Sequence, residues 1–139
     1  APPRESYRNA GMSTVLIDTS VWIDHFRRRN EALVQLIAQD QALIHPMVLA
    51  ELACGTPPEP RQQTLGDLGL LLAARQATLD EVVALVERER LYGLGCGLVD
   101  MALLASTRIT PGARLWTLDR RLAALAGRLG VGYAPSAVH

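Results

Sequence analysis

The stretch Thr14-Val15-Leu16-Ile17-Asp18-Thr19-Ser20-Val21-Trp22-Ile23-Asp24-His25-Phe26 decides how the chain folds. Thr14 to Asp18 is a short apolar run closed by an acid, the pattern of a buried strand. Ser20 to Arg28 follows at once as a helix, with Trp22, Ile23 and Phe26 at helical spacing. No hairpin turn follows the strand, so its sheet neighbour is reached by a crossover.

The same unit recurs outward from there. Arg27, Arg28 and Arg29 end the first helix, and Asn30 is placed to cap the next, Glu31 to Gln39. Ala42 to His45 reads as a second strand. Pro46 suits the first turn of a helix that runs Met47 to Cys54 and stops at Gly55. A longer helix is expected near Arg61 to Arg75, then a minor strand at Gln76 to Thr78. Thr78-Leu79-Asp80-Glu81 matches a capping box opening a helix Asp80 to Leu91, with an apolar face of Leu79, Val82, Val83 and Val86. After the loop Gly93 to Gly97 come a helix Val99 to Ile109, a strand Arg114 to Thr117, a helix Arg120 to Leu129 and a last strand Val131 to Ala134. The alternation predicts an α/β fold of three layers: a central parallel sheet of about five strands flanked by helices.

The 139 residues are 49% hydrophobic and 20% charged, which suits one packed domain and excludes a disordered chain. The longest run without a polar residue, Leu68 to Ala74, is far too short to span a bilayer. Ala1 to Gly11 lacks the apolar core of a signal peptide and reads as a leader or expression remnant, with Met12 a natural start. The reading is a cytoplasmic protein with a single domain over 12–139. The 14 basic residues, all Arg, balance 14 acidic ones, so bulk charge alone does not hold nucleic acid. Cys54 and Cys96 form no metal-binding pair, and both are expected in the core.

Four acids stand in places that need explaining. Asp18 ends the first strand, Glu51 sits inside the apolar helix, Asp100 opens a second apolar helix, and Asp119 follows the strand ending in Trp116-Thr117. Asp18, Asp100 and Asp119 each also fit a helix N-cap. Glu51 does not, and no Arg stands three or four residues away to pair with it. Ligands of open parallel sheets bind beyond the carboxyl ends of the strands, where Asp18 and Asp119 fall. Two carboxylates about 4 Å apart repel by about 4 kcal/mol at an effective dielectric near 20. Four gathered there need protons or a cation. Oxygen-only ligands favour Mg2+ or Mn2+ over zinc, and such ions can activate water against a phosphodiester. Ser20 and Thr117 are placed to orient the carboxylates.

Taken together, Ile17 to Phe26, the Glu51 helix, Gly95-Cys96-Gly97-Leu98-Val99-Asp100 through Ser106, and Leu115 to Leu122 resemble the PIN-domain ribonucleases. Within them they resemble the VapC-type toxins of bacterial toxin–antitoxin pairs. The resemblance implies a Mg2+- or Mn2+-dependent endoribonuclease. It implies that Asp18 and Asp100 are metal ligands, with Glu51 and Asp119 as the other catalytic acids and Thr117 as support. It also implies RNA as substrate, a VapB-type antitoxin as partner, and a homodimer. Leu98 stands where close relatives carry Trp.

Two other readings compete. A phosphatase with Asp18 as nucleophile lacks a second Asp two residues on and a catalytic Lys. A catalytically silent PIN-like RNA- or protein-binding module is the stronger alternative, although such modules usually lose some of the acids. Gly93, Gly95 and Gly97 do not match a dinucleotide fingerprint and read as a connector that positions Asp100. Arg27 to Arg29, and Arg120 with Arg121, are either a solvated surface or contacts to RNA backbone. Asp24 is expected as a helix-surface charge or a partner of Arg28, His25 at the surface, and Trp22 and Trp116 in the core, with stacking on an unpaired base as their other reading.

Overall fold

The computed structural model describes residues 13–136. The expected leader and the start at Met12 lie outside them. Strand β1 (Thr14–Ile17) is followed by α1 (Thr19–Arg27) and α2 (Glu31–Ala38), then β2 (Ala42–Ile44), α3 (Pro46–Cys54) and α4 (Arg61–Gly69). Next come β3 (Leu72–Ala73), α5 (Leu79–Glu89), α6 (Leu98–Ile109), β4 (Ala113–Trp116) and α7 (Arg120–Arg128).

The four strands form one sheet in the order β3-β2-β1-β4. Every pairing is parallel, with Val15 opposite Ala42, Leu43 opposite Leu72 and Ile17 opposite Trp116. All four residues of β1 are buried, as a strand covered on both faces requires. Leu103 and Leu104 of α6 are fully inaccessible, and Met101 to Thr107 are buried without interruption. α6 packs against both β4 and α5, and that double cover explains a helix with so little polar face.

Caps punctuate the chain where expected. Asn30 accepts from the Leu33 N–H, and Thr78 and Glu81 close a reciprocal capping box. Pro46 stands at the start of α3.

Four expectations need correction. The helix after Arg61 ends at Gly69, and the strand lies at Leu72–Ala73, not at Gln76 to Thr78. Gly66 and Gly69 weaken the helix, and pairing of Leu72 with Leu43 draws the next residues into the sheet. The buried face of α5 is Val82 and Leu85, whereas Leu79 and Val83 are exposed. The final strand shrinks to one parallel bridge, Gly132 opposite Leu115. Its backbone still bonds both sides of Leu115, through Val131 O and Tyr133 N. Lastly, Cys54 is exposed and Cys96 is half-buried, so neither is a core residue.

Candidate active site

An open parallel sheet has a crevice where its strand order reverses about one strand. Here β2 and β3 lie on one side of β1 and β4 on the other, so the crevice lies at the carboxyl ends of β1 and β4. Asp18 leaves the first of these ends, and Thr117 and Asp119 leave the second. The β1–β4 ladder carries over to this point, because the Asp18 N–H donates to Trp116 O at 2.9 Å.

Asp18 is buried, with 6% of its surface exposed, and it caps α1. Its Oδ2 accepts from Ser20 Oγ and from Thr117 Oγ1, each at 2.7 Å. Both hydroxyls are held in turn by backbone: Leu118 N–H donates to Ser20 Oγ and Asp119 N–H to Thr117 Oγ1, each at 3.0 Å. Each hydroxyl proton is therefore committed to Asp18. Among the described residues no hydrogen bond reaches the other oxygen, Oδ1.

The other acids arrive from three helices. Asp119 caps α7 by accepting from the Leu122 N–H at 3.0 Å. Asp100 is the third residue of α6, in its first turn, where the Gly97 backbone N–H favours its charged form. Glu51 is exposed on α3, and its Oε1 accepts from Thr19 Oγ1 at 2.5 Å. Asp100 registers all of them. Burial raises its carboxyl above the ordinary value, the charge of Asp18 adds to this, and Asp119 and Glu51 add further. Only the Gly97 N–H opposes the shift. The four acids thus share one electrostatic neighbourhood. Asp18 and Asp119 are N-caps, as their positions also fitted, whereas Asp100 is not, since Gly97 caps α6 and Asp100 lies in its first turn.

Sequence reasoning missed Thr19, whose partner Glu51 is 32 residues away. It also missed Cys96 as a neighbour of the acids. Burial and then the charges of Asp100 and Asp119 push its thiol up, and Arg121 pulls it down. Asp24 is held by the Asn30 side-chain amide at 3.1 Å instead of by Arg28. His25 is half-buried, with Nδ1 accepting from the Asn30 N–H. Trp22 and Trp116 are core residues, as expected. Leu98 is 55% exposed at the start of α6. A cavity of about 470 Å³ lies beside Glu51, the one acid of the four that lines it, with Arg27, Ile23, Phe26, Leu52 and Pro57 among its other walls.

The profile of the PIN domain matches residues 15–128, which span every element from β1 to α7. The chain belongs to the PIN-domain family. Within that family its likeness runs to the VapC type: it is 46% identical over 120 residues to ribonuclease VapC32 from two strains of Mycobacterium tuberculosis. That match takes in 86% of this chain and 96% of the relative. The crystal structure of PAE2754 from Pyrobaculum aerophilum shares the fold, with a TM-score of 0.54 at 17% identity, over 85% of this chain and 90% of that one. No helix among the described residues is long and apolar enough to cross a membrane.

Proposed function

We propose that this chain is the toxin endoribonuclease of a toxin–antitoxin pair, hydrolysing RNA phosphodiesters with the help of Mg2+ or Mn2+. The observation that carries the reading is the convergence of acids at the carboxyl ends of β1 and β4, where Ser20 and Thr117 hold Asp18 on one oxygen and Asp119, Asp100 and Glu51 share its neighbourhood. Such a cluster is short of positive charge. Its donors are all oxygen, which fits a hard divalent cation. Among the described residues no three His, Cys, Asp or Glu side chains gather tightly enough to enclose an ion. In the PIN-like reading Asp18 and Asp100 would hold it, leaving positions for water and phosphate oxygens, as Mg2+ prefers. When bound, the cation lowers the pKa of water and neutralises charge on the phosphate.

The chain's own residues do the rest. Ser20 and Thr117 fix one oxygen of Asp18 and leave the other available to the ion. Glu51 and Asp119 line the approach to the phosphate and can take the proton of the attacking water. Attack of that oxygen on phosphorus with breakage of the P–O3′ bond leaves a 5′-phosphate and a 3′-hydroxyl. The silent-module alternative finds no support, since the relatives carry the name ribonuclease and all four acids are present. The apolar cavity beside Glu51 suits a side chain of a VapB-type antitoxin. A homodimer and a cytoplasmic location complete the reading, with residues 12–139 as its single domain.

The test is cleavage of total bacterial RNA by the purified protein with Mg2+ or Mn2+ and with EDTA. Discrete cuts should require the metal. Alanine at Asp18 or Asp100 should lower the rate by about 10³-fold, the several kcal/mol that metal assistance supplies. Full activity in either variant refutes the assignment.

A further inference from the structure

Arg121, the second residue of α7, stands on the Asp119 side of the carboxylates. It is exposed and makes no ion pair with a described residue. It follows Asp119, the cap of the same helix, by two residues, and Asp100, Asp119 and Arg121 all act on the thiol of Cys96.

Its place is set by Gly95. A Cβ on Gly95 would stand 2.6 Å from Arg121 Nη1, 3.0 Å from Cδ and 3.1 Å from Cζ. The arginine therefore lies across the glycine Cα, in room that any other residue would fill. The backbone there has φ +89°, which also favours glycine. A surface Arg ordinarily samples many rotamers, but this one rests on backbone. It sits beside surplus negative charge and neutralises none of it by contact. Its planar fork of donors suits two oxygens of one phosphate. A polyanion entering an acidic crevice needs such a cation at its rim.

We propose that Arg121, seated over Gly95, binds a backbone phosphate of the RNA next to the one that is cleaved. The inference rests on the ribonuclease reading above and gives that site a substrate-positioning residue on its Asp119 side.

The test measures RNA binding apart from cleavage, in the Asp100→Asn protein. The probe is a short fluorescein-labelled single-stranded oligoribonucleotide of mixed sequence, titrated by anisotropy across a range of KCl concentrations. Arg121→Ala should weaken binding about tenfold at low salt. It should also lower the slope of log K against log salt by about 0.7, the value for one phosphate contact on a single strand. Gly95→Ala should do the same by displacing the arginine, with its melting curve checked for folding. If Gly95→Ala does not fold, Arg121→Ala alone decides. Arg121→Lys should restore the slope and only part of the affinity, since it keeps the charge and loses the fork. Arg108→Ala, at the other end of α6, removes an equal charge and should leave the slope unchanged. An unchanged slope in Arg121→Ala overturns the proposal, as does an equal fall in Arg108→Ala. Absence of RNA binding by the Asp100→Asn parent counts instead against the ribonuclease reading.

Discussion

His45 and Asp18 occupy equivalent places in successive β-α units. Each directly follows a strand, is buried and caps the helix that comes next. Their surroundings differ. His45 Nδ1 accepts from the Met47 N–H at 3.0 Å, so the ring proton is on Nε2, which donates to Ser106 Oγ at 3.1 Å. Ser106 Oγ also accepts from the Ala77 N–H at 3.0 Å. The knot is neutral and both ring nitrogens are used. Asp18 has two hydroxyls on one oxygen, none on the other, and a second carboxyl, Asp100, acting through space. One cap closes its polar atoms among themselves. The other holds one oxygen by two hydroxyls and leaves the second without a described partner. A closed knot contributes stability, whereas an open, like-charged one gives up stability and, in the function proposed above, would gain a place to bind a cation.

The comparison can be broken at either end. His45→Ala should have the largest effect on folding. It removes an N-cap, about 1 kcal/mol, and leaves a void and a depleted hydrogen-bond knot, about 2 kcal/mol more. The melting temperature should fall by about 10 °C, while the cleavage rate of the folded fraction stays near that of the parent. A large loss of rate without loss of stability would show that His45 belongs to the active site after all. Thr117→Val should show the opposite pattern. It removes one of the two hydroxyls on Asp18, so cleavage should fall about 10- to 100-fold and the melting temperature by only about 3 °C. An unchanged rate would mean that Ser20 alone orients Asp18.

pH sharpens the contrast with smaller effects of opposite sign. Burial lowers the His45 pKa below its ordinary 6.5. Its contribution to stability is therefore present above that value and is lost as pH falls through the lower, folded one. The Asp100 carboxyl is raised above 3.8, so its stabilising form is the protonated one, present below 3.8 and lost as pH rises through the folded value. In EDTA at neutral pH, Asp100→Asn should melt at or above the parent temperature. That gap should close as pH falls towards 3.8 and also on addition of Mg2+, which stabilises only the parent. A variant that melts below the parent at neutral pH would show that ionised Asp100 stabilises the fold.

Much of this was legible in advance because the signals are local. The run Val15-Leu16-Ile17 before Asp18, Pro46 at a helix start and the Thr78–Glu81 box each act within a few residues, and the folded chain keeps all of them. The errors share a cause. Leu72 lies at helical spacing from Leu65 and Leu68, but its partner Leu43 is in another strand and takes it into the sheet. Val83 continues an apolar stripe on α5, yet the neighbouring helix covers Val82 and Leu85 instead. Cys96 looked like a core residue from its apolar neighbours, but it stands half-buried beside the acids.

By itself the sequence determined the strand–helix alternation and singled out Asp18, Glu51, Asp100 and Asp119. Hydrophobic period and a carboxylate in an apolar setting can both be read along one dimension. Only the tertiary structure decided which side chains hold those acids. Thr117 reaches Asp18 across 99 residues because the register that sets Ile17 opposite Trp116 carries the next residues of both strands to the same point. Thr19 reaches Glu51 because α1 packs against α3. Arg121 lies over Gly95 because α7 begins where the loop before α6 passes beneath it. Such contacts depend on how separate elements pack, so no stretch of neighbouring residues encodes them.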